Sequence, residues 1–457
     1  MVKVEKVKRI INDSQFEFYL FTSDNGRSMA LFKNGRTLLF DSDITKFILA
    51  KESGVSKELD RKLKRVGMID DVEISDIMPA FFMIDFTTRC NMNCYYCLRN
   101  FEDEGYIISD DALKEIVDWI SDYCIDNKIE HIFVQPWGGE PLLAVDKIIN
   151  MRNQFIERRV NTTISVQTNG LLLDEPMAQR LRDNNINIGI SIDGCETIHN
   201  KHRKDMGGND TFERVNNAIK VAQNVCDSDI GTITVNSKFS LEYLSESIES
   251  MVKSLGLHTI KFNLMHPNSE CFDMNSVITN DEIEQYINDI FSKIIALNEE
   301  GYRITDSNIR DKIMNVLIGG SGDICHSRGC MGGRRFVTIA QNGDIYPCEL
   351  VGNENVKIGN IHSGKKLQKM IEDSIINNEY FNEKREEQCE DCPWYVYCKG
   401  GCTASILSYK GKVEGIDEKE CNINKVLYPL IIELILEKPE IVSKLTKGKA
   451  SVVFRDE

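Results

Sequence analysis

Residues 80–97 read AFFMIDFTTRCNMNCYYC, an apolar run followed almost at once by three closely spaced cysteines. The run Ala80–Phe86 has the length and character of a buried strand. Five more strand patterns follow at 131–135, 162–168, 186–192, 231–236 and 258–263, with helical patterns at 110–123, 143–158, 174–184, 211–224, 241–255 and 280–298. This alternation is typical of βαβ units with a parallel sheet. We therefore predict an α/β fold, a partial (β/α)6 TIM-like barrel whose chemistry lies at the carboxyl ends of the strands.

The composition excludes several classes of protein. The chain has 457 residues, of which 42% are hydrophobic and 28% charged, so two or three domains can each bury a core. The net charge of −16 argues against a nucleic acid as the main partner. No apolar stretch reaches the roughly 18 residues that a membrane-spanning helix needs, and Met1–Arg9 has no apolar signal core. We expect a cytoplasmic protein with neither a membrane nor a nucleic acid as partner.

Cysteine is the residue type whose use is unusual. The chain has 15 cysteines and no export signal, which favours metal or cluster ligation over disulfides. Most of them form two groups, the first with Cys90, Cys94 and Cys97, the second with Cys325, Cys330, Cys348, Cys389, Cys392, Cys398, Cys402 and Cys421. The scattered Cys124, Cys195, Cys226 and Cys271 have no predicted role beyond that of small buried side chains.

The first group forms a C-x3-C-x2-C loop directly after the first barrel strand. A [4Fe–4S] cluster is normally held by four thiolates, so three cysteines leave one iron open to an outside ligand. A zinc site with three cysteines and a helix with its cysteines in the core are the other interpretations. Asn91, Asn93 and Arg99 would interrupt the apolar face of such a helix.

The loop and the motifs after it resemble the radical S-adenosylmethionine (SAM) family. In that family the open iron binds SAM, and reduction of SAM gives a 5′-deoxyadenosyl radical, so the resemblance implies that the first three cysteines are catalytic cluster ligands. It also implies a SAM site with Trp137-Gly138-Gly139-Glu140-Pro141 at the amino group, Thr168-Asn169-Gly170 and Ser191-Ile192-Asp193-Gly194 at the ribose, Arg203 at the carboxylate and Tyr96 near the adenine. Taken singly, these motifs also fit turns, a surface charge and a core position.

The second group matches the seven-cysteine pattern of the SPASM domain, a C-terminal extension of radical SAM enzymes that modify peptides and proteins. The resemblance implies two auxiliary [4Fe–4S] clusters and three in all, the first auxiliary cluster on Cys325, Cys330, Cys348 and Cys402, the second on Cys389, Cys392, Cys398 and Cys421. Without Cys325 the first cluster would have an open iron for a substrate thiolate. A pair of zinc ribbons is the alternative.

Residues 1–78 have the pattern of a small α+β module. The β-prone runs Phe16–Thr22 and Ser28–Phe32 are separated by turn signals, and helical segments follow at Asp43–Lys51 and Ser56–Val66. Three strands and two helices resemble a winged helix, the element with which peptide maturases capture the leader of a precursor. A DNA-binding winged helix is the alternative, which the acidic charge disfavours. The predicted domains are therefore 1–78, a radical SAM barrel at 79–315, and a SPASM domain at 316–457 with a final helix at 423–437.

These resemblances together imply a maturase of ribosomal peptides of the thioether-forming (sactipeptide or ranthipeptide) type. Such an enzyme abstracts hydrogen from a precursor residue and joins that carbon to a cysteine, with a flavodoxin or ferredoxin as reductant and the auxiliary clusters as electron acceptors. One alternative is an anaerobic sulfatase maturase, which makes formylglycine and places an aspartate base directly after the cysteine equivalent to Cys348. This chain has Glu349 there, which we take as a candidate catalytic base. The other alternative is a non-catalytic scaffold stapled by zinc or clusters.

Overall fold

The computed structural model describes residues 2–11, 14–49, 57–67, 78–97, 105–226, 229–266, 274–319, 325, 329–352 and 354–454. Its N-terminal module is an antiparallel sheet followed by two helices: β1 (Lys3–Ile11), β2 (Ser14–Thr22), β3 (Ser28–Phe32), β4 (Thr37–Phe40), α1 (Ser42–Leu49) and α2 (Lys57–Gly67). Gly26 and Gly35, at positive φ, form the two hairpin turns predicted from the sequence. The residues predicted to begin the second helix and to link the module to the barrel, Ser56 and Asp70–Asp76, lie outside the described residues.

The first strand is the element of this module that the sequence analysis missed. The stretch at residues 3–11 reads KVEKVKRII, and its apolar residues Val4, Val7 and Ile10 recur at every third position instead of the period of two that predicts a strand. It pairs in full with β2, from Lys3 opposite Thr22 to Ile11 opposite Ser14. The expected three-stranded module is therefore four-stranded.

The two faces of this sheet pack against different layers, because successive side chains of a strand point to opposite sides. One face packs against α1 and α2 and buries Phe18, Leu20, Ala30, Phe32, Leu38 and Phe40 with Ile48, Leu59 and Leu63. The other face carries Phe21, Met29, Leu31 and Leu39 into the large core that the rest of the chain builds. The module is thus packed into the body of the protein on one whole face.

The predicted alternation of strand and helix is present from residue 81 onward. In chain order the elements are β5 (Phe81–Thr87), β6 (Met92–Cys94), α3 (Asp110–Asp126), β7 (Ile132–Gly138), α4 (Val145–Glu157), β8 (Thr162–Thr168), α5 (Glu175–Asp183), β9 (Ile186–Ser191), α6 (Glu196–His202), β10 (Arg203–Asp205), α7 (Phe212–Val225), β11 (Gly231–Asn236), α8 (Leu244–Glu249), β12 (Thr259–Leu264), α9 (Asn280–Glu299), β13 (Thr305–Asp306) and α10 (Ser307–Ile318). One predicted helix, 241–255, is divided, since α8 gives way to a π-helical turn at Ser250–Ser254.

The barrel strands form a sheet in the order β5-β7-β8-β9-β11-β12, with every neighbouring pair parallel. Because the strands follow one another in chain order with a crossover helix between them, their carboxyl ends meet at one rim. The six predicted strands therefore form the predicted partial barrel. The short β13 extends the sheet beyond β12.

The cysteine-rich region continues the same sheet and adds helices: β14 (Phe336–Ile339), β15 (Asp344–Tyr346), β16 (Gly359–Asn360), α11 (Leu367–Asn377), α12 (Tyr395–Cys398), α13 (Thr403–Lys410), α14 (Glu418–Glu437) and α15 (Pro439–Leu445). β14 pairs with β5 in parallel and β15 with β14 in antiparallel orientation. The boundary proposed at 315/316 needs correction, because it falls within α10. The last long helix begins at Glu418, five residues before the prediction, where the side chain of Asp417 caps it.

Candidate active site

The three-cysteine loop lies at the rim, between the end of β5 and the helices that follow. Strand β6 lies within the loop and pairs with β10, which follows much later in the chain. This two-stranded ribbon sets Cys94 directly opposite Arg203. The loop then turns, and the amide of Cys97 donates to the carbonyl of Cys94 at 3.0 Å. The structure therefore brings Cys90, Cys94 and Cys97 together where the sequence predicted a cluster site.

Burial governs the protonation of these thiols. It raises the pKa of Cys90 to about 11 and that of Cys94 to about 12, although the nearby Arg203 guanidinium acts in the opposite direction at Cys94. The thiols therefore hold their protons at neutral pH unless a bound metal displaces them. A set of three soft, partly buried thiols on one loop suits iron–sulfur ligation.

Gly138 and Gly139 pack directly against the backbone that leads into the cysteine loop. A Cβ atom on Gly138 would lie 2.0 Å from the carbonyl oxygen of Thr87, and one on Gly139 would lie 2.0 Å from that of Arg89. The amides of Gly139 and Glu140 donate to the same two carbonyls at 2.7 and 2.9 Å. The two glycines thus hold the end of β7 against the loop, with Pro141 beginning the short helix that follows.

Glu140 is hydrogen-bonded within the protein, and its expected contact with the SAM ammonium stays a prediction. Its fully buried carboxylate accepts from the amide of Leu142, the hydroxyl of Thr168 (2.7 Å) and the amide of Asn169 (2.8 Å). It therefore ties the end of β7 to the end of β8. A backbone carbonyl near the two glycines is the other expected acceptor for an ammonium.

Asp193 is likewise engaged inside the protein. Its carboxylate accepts from the hydroxyl of Tyr96 at 2.6 Å, from Nε of Arg203 at 3.0 Å and from the amide of Val235 at 2.9 Å, and Nδ1 of His202 lies 3.4 Å away. Burial alone would raise the pKa of Asp193, but Arg203 and His202 lower it overall, so the group is ionised. Asp193 thus positions Arg203 and Tyr96, and its expected contact with a ribose stays a prediction.

Arg203 combines full burial with a position beside the cysteines. It lies under Tyr96, with the guanidinium carbon 5.4 Å from the ring centroid, and its Nη1 lies 4.0 Å from Sγ of Cys94. Burial opposes the charge, but Asp193 raises the pKa of Arg203 overall. Arg203 therefore offers a fixed cation beside the three-cysteine loop, as the expected SAM carboxylate contact requires.

Asn169 and Ser191 lie at the ends of neighbouring strands. The side-chain amide nitrogen of Asn169 donates to Oδ1 of Asn91 at 2.7 Å and lies 3.8 Å from Sγ of Cys90. The hydroxyl of Ser191 accepts from Gln167 at 3.0 Å and stays partly exposed. Both residues thus line the rim beside the loop, and their contact with a ribose stays a prediction.

A separate small cavity of about 20 Å³ lies in the C-terminal region. All four cysteines that the sequence assigned to one auxiliary cluster line it, together with Trp394, Tyr395 and Lys425: Cys389, Cys392, Cys398 and Cys421. We call this cavity the second auxiliary site. Among the described residues no three His, Cys, Asp or Glu side chains converge on a position for a single metal ion.

Three of the remaining cysteines form a second cluster of thiols, which we call the first auxiliary site: Cys330, Cys348 and Cys402. Burial raises the pKa of Cys348 well above its usual value, and the two other thiols add to that rise. Two residues that the sequence analysis did not consider complete the surroundings. The hydroxyl of Tyr380 lies 3.2 Å from Sγ of Cys330. Burial lowers the pKa of the Lys384 ammonium, while the nearby Cys330 and Cys402 act in the opposite direction. Tyr380 and Lys384 lie between Cys348 and Cys389 in a stretch with no motif, so no local signal identified them.

The expected fourth ligand of the first auxiliary site, Cys325, is half-buried, and residues outside the described part of the chain flank it on both sides. Its participation stays a prediction. Of the scattered cysteines, Cys124 and Cys195 are buried, as expected for core residues, Cys226 is partly buried, and Cys271 lies outside the described residues.

Comparison with known families agrees with this arrangement. Residues 84–251 match the radical SAM superfamily, and residues 330–393 match SPASM, an iron–sulfur cluster-binding domain. The chain is a radical SAM enzyme with a SPASM domain. The predicted family, fold class and cofactors are thereby confirmed: SAM and a [4Fe–4S] cluster serve the radical SAM domain, and the SPASM domain binds auxiliary clusters. The alternative of a non-catalytic scaffold is wrong.

Individual relatives of this radical SAM enzyme divide between two activities. A cysteine-type anaerobic sulfatase-maturating enzyme of Clostridium perfringens is 25% identical over 69% of this chain and 86% of its own length. The radical SAM cyclopropyl synthase TigE of Paramaledivibacter caminithermalis is 23% identical over 80% of this chain and 76% of its own.

Two solved structures share the fold. Native anSMEcpe with bound AdoMet and the Cp18Cys peptide superposes with a TM-score of 0.66 at 22% identity, over 78% of this chain and 99% of that one. Streptococcus suis SuiB bound to the precursor peptide SuiA superposes with a TM-score of 0.56 at 15% identity, over 87% of this chain and 99% of that one. Within the described residues of our radical SAM enzyme, no helix combines the length and apolar character needed to cross a bilayer.

Proposed function

We propose that this radical SAM enzyme matures a ribosomally made precursor peptide by joining one of its carbon atoms to a cysteine sulfur as a thioether. The observation that carries the proposal is the N-terminal sheet. Its strand β1 lies at the sheet edge, and among the described residues no further strand pairs with it. A free edge can bind an extended peptide through backbone hydrogen bonds. SuiB, whose structure contains its precursor peptide, shares the fold over most of this chain.

The residues at the rim would bind and orient the reactants. The fixed cation of Arg203, aligned by Asp193, would bind the SAM carboxylate, and the backbone at Gly138 and Gly139 would accept from its ammonium. When bound, SAM and a cluster on the three-cysteine loop supply a radical that removes a hydrogen atom. Forming the carbon–sulfur bond also releases the thiol proton and one electron, so the peptide loses two hydrogens in all. An auxiliary cluster held by the SPASM cysteines would accept that electron.

Glu349 is the proposed acceptor of that proton. Its Oε2 lies 3.2 Å from Sγ of Cys348, where the thiol donates to the carboxylate. A thiolate has no proton to donate, so iron binding by Cys348 would leave this oxygen free for another donor. The side chain is partly exposed beside the first auxiliary site, where a peptide thiol could reach it.

The decisive experiment is anaerobic incubation of the enzyme, SAM and a reductant with a cysteine-containing peptide encoded beside its gene. We expect a mass loss of two hydrogens per crosslink and a cysteine that no longer reacts with an alkylating reagent. The leader-bearing peptide should react at least about tenfold more efficiently than its leaderless core, because the leader supplies the strand contacts. Equal efficiency would contradict capture by the N-terminal sheet. A Cys94→Ala variant, the control, should release no 5′-deoxyadenosine.

Maturation of a sulfatase is the second candidate function, and the C. perfringens relative favours it. In that case the substrate is a sulfatase peptide, and the product is an aldehyde that reacts with a hydrazide probe. The acidic residue after Cys348 would then serve as the base. Aldehyde formation on a sulfatase peptide, with the precursor peptide unchanged, would replace the thioether proposal.

A further inference from the structure

The second auxiliary site is not enclosed by the SPASM domain alone. The segment that carries Cys392 and Cys398 also carries Trp394, which lines the cavity, and Tyr397. Both aromatic side chains are buried, at 6% and 1% exposure. The N-terminal sheet helps to bury them, because its face with Phe21, Met29, Leu31 and Leu39 packs into the same core.

A continuous aromatic stack crosses this boundary. The ring of Phe21 on β2 stacks on Trp394 with 5.2 Å between centroids and 25° between planes. Trp394 in turn stacks on Tyr428 of α14 at 5.2 Å, and Tyr397 stacks on the same ring at 5.4 Å. Phe21 of the N-terminal sheet therefore contacts Trp394, a residue that lines the cavity.

Hydrogen bonds attach the same segment to the sheet. The hydroxyl of Tyr397 donates to the carbonyl of Gly35 at 2.8 Å, in the turn between β3 and β4. The hydroxyl of Tyr19 donates to the carbonyl of Asp391, the residue before Cys392, at 2.8 Å. The turn also fits closely, because a Cβ atom on Gly35 would lie 3.0 Å from a methyl group of Val396. The backbone on both sides of Trp394 is thus held by the module.

We propose that the N-terminal sheet is a structural wall of the second auxiliary site, so that the peptide-binding module also controls retention and reduction potential of the cluster bound there. The inference rests on the proposed ligand set Cys389, Cys392, Cys398 and Cys421. Its physical basis is that packing and hydrogen bonds around the ligands fix their geometry and exclude water, and both determine cluster stability and potential. The module is therefore more than a tethered recognition unit.

A matched pair of substitutions on β2 tests the proposal. Phe18 and Phe21 are both fully buried, but Phe18 faces α1 and α2 while Phe21 faces the cavity wall. Each full-length variant, Phe21→Ala and Phe18→Ala, is reconstituted anaerobically and assayed for iron and acid-labile sulfide per chain. We expect about twelve iron atoms in the wild type and in Phe18→Ala, and about four fewer in Phe21→Ala. Equal iron content in the two variants would overturn the proposal.

A milder variant keeps the test independent of folding defects. Tyr397→Phe removes only the hydroxyl bonded to Gly35, and Tyr409→Phe, at an exposed position on α13, is its control. In a redox titration followed by electron paramagnetic resonance, we expect one of the three cluster potentials to shift in Tyr397→Phe alone. Unchanged potentials would contradict the inference. A wild type with fewer than about twelve irons would instead refute the proposed cluster set.

Discussion

At the scale of single residues, Asp193 holds two parts of the active site in place. Its buried carboxylate joins Tyr96 and Arg203, and Arg203 stands opposite Cys94 in the β6–β10 ribbon. The cation that would bind SAM is therefore fixed relative to the loop that would bind the cluster. Pre-organised charge of this kind binds an anionic group without a reorganisation cost.

Replacing Arg203 with lysine tests this arrangement. Lysine keeps the charge beside Asp193 but lacks the planar fork that lets one side chain bind Asp193 and still face a second carboxylate. We expect Arg203→Lys to raise the dissociation constant of SAM about tenfold or more while the iron content stays unchanged. Equilibrium binding of SAM to the reconstituted enzyme provides the measurement. Arg214→Lys, at an exposed ion pair with Asp205, is the control, and an equal effect there would refute the assignment.

Asp306 makes stability depend on pH. Burial raises the pKa of this carboxyl, at the start of α10, to about 7, above its value of roughly 4 in an unfolded chain. The folded state therefore holds the proton more tightly, and the stabilisation is complete below about pH 4 and disappears as the pH rises through about 7. We expect Asp306→Asn, which can still cap α10, to flatten the fall in melting temperature between about pH 5 and pH 7, as measured by anaerobic thermal unfolding. A fall as steep as in the wild type would show that another group titrates.

At the scale of elements, the end of β7 and the cysteine loop form one unit, because two backbone hydrogen bonds and two glycines join them. Gly139→Ala would place a methyl group in contact with the carbonyl oxygen of Arg89. The clash can be relieved only if the backbone of the cysteine loop shifts. We expect at least a tenfold loss of 5′-deoxyadenosine formation, with about four irons lost. Gly231→Ala on β11, where a Cβ atom would meet nothing within 4 Å, should have neither effect. Activity retained in Gly139→Ala would mean that the loop can shift without consequence.

The elements also show what the sequence could predict. The six barrel strands were placed within a few residues of their observed bounds, because buried strands and amphipathic helices differ in local period. The β6–β10 ribbon was not predicted. Each of its strands has only three residues, too few to show a period, and the two strands lie far apart in the sequence. The partners of Glu140 were missed for a similar reason, because Thr168 and Asn169 meet it only after β7 and β8 pair. The two cysteine sets were predicted from the resemblance to the SPASM domain, whereas Tyr380 and Lys384 lie in no motif that the sequence analysis used.

At the scale of the whole molecule, the C-terminal helix α14 returns to the barrel. Lys312 of α10 is nearly buried and binds Glu420 at 2.8 Å and Asn424 at 2.7 Å, both on α14, close to Cys398. Removing one partner of such a pair leaves an uncompensated charge, which typically costs about 3–5 kcal/mol. The pair thus connects the barrel to the second auxiliary site.

We expect Lys312→Met to lower the melting temperature of the reconstituted enzyme by several degrees. The double variant Lys312→Met/Glu420→Gln should recover much of that loss, because neither charge then remains buried alone. Anaerobic calorimetry of the two single variants and the double variant measures the coupling between them. Additive losses would show that the two side chains act independently.

The pairing of β14 with β5 has a consequence for the order of events during synthesis. β5 leads into the three-cysteine loop, yet one of its two neighbours, β14, is translated only after the whole barrel. Until then β5 is an unpaired edge, and contacts between residues so distant in sequence form late. The loop therefore reaches its final shape only near the end of translation. We therefore expect the loop to bind its iron only after β14 has been synthesised and has paired with β5.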